Sequence, residues 1–364
     1  NLNSSHRKII FIGDDAQLPP VNMSISPALD KAYLSKNYGV EAYETTLSEV
    51  VRQQKNSVVL KNATAIRNQI NKNEFNKLHI ETNDNDFINC KQNEFENQYL
   101  HTAKKKGIDE IIIVSHSNTL ALSYNKIIRN LRYGINPSIL REKERLIITR
   151  NNYNYDVDLY NGTFVTVLEV GDVIYTPHVV FKVKGGETVS RNLSFRKVTV
   201  SVKDLNGKIH FLNTTLLDSF LLEDNGKLHP YDQRALYIDF KNRMQKLGIK
   251  PKTEKFKMAL KSDIYFNALQ AKYGYAITCH KAQGGEWSDV FIDFNIFIGK
   301  TSKSYFRWVY TAITRSNNTV FTIDAPKFNA LSIFKVINSI EILSKIPKDS
   351  VYLPEKSKPY SFVD

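Results

Sequence analysis

The spacing of apolar residues changes several times along these 364 positions, and each change predicts an element. Residues 9–12 form a short unbroken apolar run after Lys8 and stop at Gly13-Asp14. Such a run predicts a buried parallel strand, and the carboxy-terminal end of such a strand is where ligands of open α/β sheets gather. Pro19-Pro20 ends regular structure. Val59, Ala63, Ile66 and Ile70 recur at helical spacing, with Ser57 placed to cap them. Residues 71–97 are rich in Asn and weakly periodic, which predicts loops and at most one strand. Ile111-Ile112-Ile113-Val114 predicts a second buried strand. It runs through Ser115-His116-Ser117-Asn118 into a helix with Leu120, Tyr124, Ile127, Ile128 and Leu131 on one side and Gly134 as its stop.

Near Arg150 the period falls to two. Val198, Val200 and Val202 alternate with polar residues, Asn206-Gly207 predicts a two-residue hairpin turn, and Ile209 and Phe211 continue the alternation. With turns also at Asn161-Gly162 and Gly185-Gly186, this predicts a small barrel inserted into an α/β domain. Residues 230–272 return to helical spacing, broken by Pro251. Short apolar runs at 276–279, 290–293 and 320–323 predict further buried strands, and the Pro/Lys/Ser-rich residues from Lys348 predict a loose tail.

The chain carries 50 Lys+Arg against 37 Asp+Glu, a net charge of +13 that favours a polyanionic partner, although a solvated basic surface gives the same sum. Residues 101–150 hold ten Lys/Arg and four Asp/Glu, which concentrates that charge. Cys90 and Cys279 match no metal or disulfide spacing and predict free thiols in a reducing, cytoplasmic setting. No apolar run approaches a membrane span, so no membrane is expected as partner. Tyr153, Tyr155, Tyr160 and Trp308 are candidates for stacking on bases, with core packing the commoner use of such rings.

Three blocks carry chemistry. In Gly13-Asp14-Asp15-Ala16-Gln17-Leu18-Pro19-Pro20, Gln17 has the donors and acceptor to sense phosphate or position water, and Asp14 and Asp15 can orient it or touch metal-bound water. A polar turn has the same composition. In Thr278-Cys279-His280-Lys281-Ala282-Gln283-Gly284-Gly285-Glu286, Thr278 can hydrogen-bond a phosphate, Lys281 can pair with one, and the glycines allow close backbone approach. Cys279 and His280 have no further ligands nearby in sequence, and no metal site is predicted. Tyr310 to Arg315 predicts a helix ending in an arginine that can stabilise a transferring phosphoryl group or simply the helix dipole. The Ser117-Asn118 loop before a helix offers free N–H groups to an anion, and serves equally as a plain cap.

The order and types of these blocks resemble the later motifs of superfamily 1 helicases. Gln17-Leu18-Pro19-Pro20 after Gly13-Asp14 resembles the RecD-like and Pif-like branch, and Tyr160-Asn161-Gly162-Thr163 resembles the first strand of its Src-homology-3-like barrel. The resemblance implies a RecA-like, P-loop NTPase-type α/β motor domain with that barrel inserted. It divides the chain into 1–45, the end of a first motor domain; 46–154 and 263–347, the second motor domain; 155–262, the insertion; and 348–364, the tail. It implies ATP and Mg²⁺ as cofactors, with Gly13, Asp14, Gln17, Arg52, Gly285, Glu286 and Arg315 at the nucleotide. Among these, Gln17, Arg52 and Arg315 are the catalytic candidates. Ser117, Asn118, Thr278, His280 and Lys281 are implied at DNA.

The function implied is 5′→3′ translocation on single-stranded DNA and unwinding at duplex junctions by a monomer, in repair or recombination. Two alternatives remain: a helicase subunit of a RecBCD-like exonuclease complex, or a nucleic-acid-binding protein without catalysis. The sequence holds no G-x-x-x-x-G-K-[ST] string, because Phe294 stands five residues before Gly299-Lys300-Thr301 where a Gly is required. Nor does it hold an apolar run ending in Asp-Glu. The 364 residues alone are therefore expected not to hydrolyse ATP, and to be the C-terminal part of a longer enzyme.

Overall fold

A computed structural model of the protein describes residues 8–47, 57–134, 140–204, 206–223, 226–295 and 299–330. In chain order its first elements are α1 (Lys31–Tyr38), α2 (Val58–Lys72), β1 (Lys77–His79), β2 (Phe87–Asn89), α3 (Phe95–Lys106), β3 (Ile111–Ser115) and α4 (Asn118–Tyr133). Then come β4 (Arg145–Ile148), β5 (Phe164–Tyr175), β6 (His178–Lys182), β7 (Thr188–Asn192), β8 (Phe195–Lys203) and β9 (Ile209–Leu217). The last are α5 (Pro230–Lys246), α6 (Glu254–Ser262), β10 (Ala271–Tyr273), β11 (Ala276–Thr278), α7 (Cys279–Ala282), β12 (Trp287–Asp293), α8 (Lys303–Ile313), β13 (Ser316–Ile323) and β14 (Lys327–Asn329).

The unbroken apolar runs become a five-stranded parallel sheet in the order β11-β3-β12-β13-β2. All of β3 is buried, as expected of a strand covered on both faces. Ile112, Val114, Val290, Ile292 and Val320 join a core with residues of α2 and α8, while Ile111, Ile113, Phe291 and Phe321 join one with residues of α3 and α4. Ser57 caps α2 by accepting the Val59 amide, and Gly134 ends α4 at a left-handed φ of 58°.

The alternating region forms a five-stranded antiparallel sheet in the order β10-β4-β5-β8-β9, with β6–β7 as a separate hairpin. Its buried valines share a core with the parallel sheet. The sheet takes β4 and β10 from either side of residues 155–262. Pro251 lies between α5 and α6, as its breaker chemistry requires. No helix of the described residues is long and apolar enough to cross a membrane.

Several expectations are corrected. Residues 8–12 form no strand. No described strand pairs with them, and Ile10 and Ile12 stand 82% and 91% exposed, so the apolar run lacks the neighbours that stabilise a parallel strand. Residues 71–97 hold two short strands and the start of α3 rather than loops with one strand, because tertiary packing of Leu78, Phe87 and Phe95 compensates a weak period. On α4 the buried side chains are Ala121, Leu122, Tyr124, Asn125, Ile128 and Arg129, while Ile127 and Leu131 face solvent.

The β8–β9 connection is longer than a two-residue turn. Asp204 accepts the Asn206 and Lys208 amides, the last pair is Lys203↔Ile209, and Gly207 supplies a φ of 84°. Ile209 and Phe211 therefore point outward, and Leu212 takes the core position. The basic charge at 101–150 is partly structural. Arg129 and Glu144 form a buried pair at 2.5 Å, Arg145 is buried against the Ile108 and Ile111 carbonyls, and Lys106 pairs with Asp289 at 2.7 Å. The tail from Lys348 lies outside the described residues.

Candidate functional site

The loop at 13–20 is fastened at four points to α2, α8 and the segment of the glycine turn. Asp14 Oδ1 accepts from Arg67 Nη1 of α2 at 2.9 Å, and Asp14 Oδ2 accepts from the Tyr310 hydroxyl of α8 at 2.9 Å. The Leu18 amide donates to Thr311 Oγ1 at 2.9 Å, and Gln283 Nε2 donates to the Leu18 carbonyl at 2.7 Å. Gln17 is half-buried and its Nε2 donates to Asp14 Oδ2 at 3.3 Å, so Asp14 does orient it. Arg67 also donates to the Tyr310 hydroxyl at 3.0 Å. Burial, helped by the Asp14 carboxylate and opposed by Arg67, pushes the Tyr310 phenol up to about 12. On Arg67, burial works against the charge, and Asp14 and Tyr310 outweigh it, so its basicity rises.

The glycine turn carries the second group. Arg315 is 3% exposed; its Nε donates to the Thr311 carbonyl at 3.0 Å and its Nη1 to the Gly285 carbonyl at 3.1 Å. It follows α8, which ends at Ile313, and lies under the turn rather than projecting from it. Gly285 is close-packed for a reason within the fold: a Cβ there would meet the Trp287 ring at 2.3 Å. Gly284 supplies a φ of 81°. Glu286 is exposed beside this turn and accepts from Asn317 Nδ2 at 3.1 Å. Gln17, Gly285, Glu286 and Arg315 thus lie on segments that touch one another, through Gln283 on one side and Thr311 on the other. Gly13 is exposed, and a Cβ on it would meet Leu29 at 2.7 Å. Arg52 lies outside the described residues.

The third group sits at the carboxy-terminal ends of β3 and β11, where Thr278 pairs in register with Ser115. Asn118, Thr278 and Lys281 line one cavity of about 30 Å³ together with Asn125 and Lys272. Its size suits a single water or one oxygen of an anion. Lys281 is half-buried without an ion pair among the described residues, and burial lowers its basicity. An unpaired ammonium in such a place gains from an anion. Ser117 Oγ accepts the Leu120 amide at 3.1 Å, so it caps α4. His280 is turned to the Pro19 carbonyl, and burial, opposed by that carbonyl, lowers its pKa. Cys279 is buried and burial pushes its thiol up, so it is inert packing.

Sequence reading missed Arg67, Tyr310 as an acid partner, Thr311 and Gln283 as the fasteners of the loop. The signal available was weak: Arg67 is one of several polar residues on an amphipathic helix, next to the buried Ile66. Of the aromatic candidates, Tyr155 and Trp308 are core or half-core, with the Tyr155 hydroxyl bonded to Thr214, while Tyr153 and Tyr160 are exposed. Among the described residues no three His, Cys, Asp or Glu side chains come together as a metal-binding group. Asp14 has four donors already, so these residues do not fit a Mg²⁺ site.

Residues 273–323 match the model of the UvrD-like helicase C-terminal domain, a stretch from β10 to the end of β13 that includes the glycine turn and Arg315. An uncharacterised protein of Acanthamoeba polyphaga mimivirus is 25% identical over 342 residues, covering 85% of this chain and 67% of its own length. Among solved structures, the Pif1 helicase of Candida albicans superposes with a TM-score of 0.38 at 13% identity, covering 91% of this chain and 66% of that one. A Bacteroides Pif1 helicase in complex with ADP-AlF3 and ssDNA gives 0.32 at 15% identity, with coverage of 91% and 64%. The chain spans about two thirds of the length of these relatives.

Proposed function

We propose that this chain, a superfamily 1 helicase by its motifs and by the match over residues 273–323, supplies the nucleotide-sensing and strand-gripping half of a Pif-like, ATP-dependent DNA helicase. The observation that carries the reading is the meeting of three distant blocks: the 13–20 loop, the glycine turn and α8 are joined by the Leu18–Thr311, Gln283–Leu18 and Arg315–Gly285 hydrogen bonds. A protein that only bound nucleic acid would have no need to tie a phosphate-sensing Gln to a buried Arg through its own backbone. ATP supplies the phosphoryl group whose transfer drives the motor. In this reading Gln17 positions water, Glu286 holds the nucleotide sugar, and Arg52 and Arg315 stabilise charge on the phosphoryl oxygens. Arg315 starts from a buried pose, so it acts by repacking of the Gly285 turn when nucleotide arrives. The antiparallel sheet with its hairpin is read as the Src-homology-3-like barrel of this branch, and a cytoplasmic setting belongs to the same proposal.

Strand binding falls to Asn118, Thr278 and Lys281, with their cavity taking a phosphate oxygen. The test uses a fluorescent oligothymidylate and the 364-residue chain. Thr278→Ala with Lys281→Gln is expected to weaken binding and to lower the salt slope by about 0.7, the value for one phosphate no longer neutralised. Unchanged affinity and slope would remove these residues from the strand path. The chain alone is expected to show no DNA-stimulated ATP turnover, since it holds neither a P-loop nor a described carboxylate cluster for Mg²⁺. Turnover by the pure chain would contradict the assignment of the phosphate cradle to residues outside these 364.

A further inference from the structure

The loop between β4 and β5 is held in one shape by its asparagines. Asn152 and Leu159 exchange both backbone hydrogen bonds, at 2.8 and 3.0 Å. Asn151 Oδ1 accepts the Asn161 amide at 2.8 Å, and Asn152 Nδ2 donates to the Asn267 carbonyl at 2.8 Å. This frame holds two tyrosine rings in the open. Tyr153 and Tyr160 are 60% and 45% exposed, with ring centroids 6.2 Å apart, edge to face. Their hydroxyls are engaged locally: Asn151 Nδ2 donates to Tyr153 at 2.7 Å, and Tyr160 donates to Asp158 at 3.0 Å. The ring edges are fixed while aromatic surface stays in solvent. Ring faces held in place and open to solvent are available for stacking.

The same loop is joined to the most basic stretch of the molecule. Asn154 Nδ2 donates to the Lys261 carbonyl at 3.0 Å, at the end of α6. Between Lys241 and Lys261 seven lysines are exposed, and the one acid in that interval, Glu254, pairs with Lys257 at 2.7 Å. Phe256 of α6 is buried against Phe240, ring centroids 5.1 Å apart, so the helix gives its aromatic to the core and its lysines to solvent. Arg150 is exposed where the loop begins. Asp156 and Asp158 oppose this charge within the loop, Asp158 being tied to Tyr160.

We propose that Tyr153 and Tyr160, with the lysines of α5 and α6, form a second contact for single-stranded nucleic acid, separate from the Asn118–Thr278–Lys281 cavity. An aromatic face accepts any base by stacking, and lysines neutralise the phosphates between stacked bases. Duplex bases are stacked on each other and offer no face except at an end, which makes the partner a single strand. An anionic membrane would also attract the lysines, but binding there needs an apolar face along the helix. Met258 is the one large apolar side chain that α6 exposes. The two contacts use different residues of the same sheet: the cavity is lined by Ile147 and Lys272 of the β4–β10 pair, and the tyrosine loop leaves that pair after Thr149, whose amide meets the Gln270 carbonyl.

The experiment measures anisotropy of a fluorescent oligothymidylate with the 364-residue chain. Tyr153→Ala with Tyr160→Ala is expected to weaken binding about ten-fold or more without changing the salt slope. Tyr153→Phe with Tyr160→Phe is expected to bind as the parent does, since stacking needs no hydroxyl. Lys255→Gln with Lys257→Gln and Lys261→Gln is expected to flatten the salt slope by about 0.7 for each phosphate that these lysines neutralise in the parent. The Thr278→Ala, Lys281→Gln variant separates the two sites, because the tyrosine effect persists in that background even if the motif residues prove silent. The proposal is overturned by parent-like binding of the alanine pair, or by equal loss in the phenylalanine pair, which would mean that the hydroxyls only frame the loop. Absence of oligonucleotide binding by the parent chain, or lysine-dependent binding to anionic vesicles in its place, overturns it as well.

Discussion

Asp14 holds four hydrogen bonds at once, from the Ala16 amide, Gln17, Arg67 and Tyr310, and this saturation decides what it can do. A carboxylate with its lone pairs filled by a cation and a phenol is a fastener, not a metal ligand. If the three side chains act as one unit, their substitutions must not add. Tyr310→Phe is expected to cost about 1–3 kcal/mol of stability by removing two hydrogen bonds, the one its hydroxyl gives to Asp14 and the one it accepts from Arg67. Arg67 is partly exposed, so its substitution should cost less than a buried pair would. A double-mutant cycle of Asp14→Asn with Tyr310→Phe is expected to show coupling of about 0.5–3 kcal/mol in thermal unfolding. Strict additivity would mean that the loop is held by Leu18 and Gln283 alone. The sequence marked Asp14, Gln17 and Arg315 as chemistry because of their types. It could not mark Arg67, because a single Arg on an amphipathic helix carries no sign of the residue 53 positions earlier that it reaches. Gly285 shows the same limit. Its glycine was legible, but the Trp287 ring that excludes a side chain there is a tertiary fact, and Gly285→Ala is expected to destabilise by about 1–3 kcal/mol in denaturant unfolding.

Elements were legible where local period and caps agree. Helix α2 illustrates this, with Ser57 before a clean apolar stripe at Val59, Ala63, Ile66 and Ile70. What the stripe did not reveal is the second cap. Asp86 Oδ2 accepts the Val58 amide at 2.8 Å, and Asn83 Nδ2 donates to Asp86 Oδ1 at 2.7 Å. Partial burial alone would raise the Asp86 pKa, but the Ser57 hydroxyl, the Asn83 amide and the Val58 and Val59 N–H groups outweigh it and hold it below the usual range. A depressed folded pKa means that the stabilisation is present above the unfolded value of about 3.9 and is lost as pH falls through the folded one. Asp86→Asn is therefore expected to lower Tm at neutral pH, with the deficit shrinking as pH drops below about 4. A deficit that stays constant across that window would show that the charge of Asp86 contributes nothing. The 8–12 run failed as a strand for the complementary reason. Its apolar residues satisfy the pattern, but a parallel strand exists only through hydrogen bonds to a neighbour, and none is described beside it.

At the scale of the whole molecule, direction of travel follows from how a strand lies across both halves of a motor and which half grips it in each nucleotide state. In the proposed function these residues supply one grip, at Asn118, Thr278 and Lys281, and one sensor, at Gln17, and residues of β3, β11 and α8 share one core between them. The Gln17-Leu18-Pro19-Pro20 string is restricted by its prolines, and its Leu18 backbone is bonded on both sides, so the segment that carries Gln17 is tied to α8 and to the glycine turn. That coupling suits a motor of either polarity. The proposed sign, 5′→3′, is what the resemblance of this string to the RecD-like and Pif-like branch implies. Lys197, Thr199 and Ser201 face outward from β8, and Thr199 Oγ1 is bonded to Glu169 and Asn213 at 2.9 Å each, so a strand guided along this face would meet Lys197 and Ser201. Two partial duplexes, one with a 5′ single-stranded tail and one with a 3′ tail, given with ATP to the helicase proposed to contain this chain, measure the sign directly. Unwinding of the 5′-tailed substrate is expected. Preference for the 3′ tail would reverse the branch assignment while leaving the joined motifs, and the motor built on them, in place.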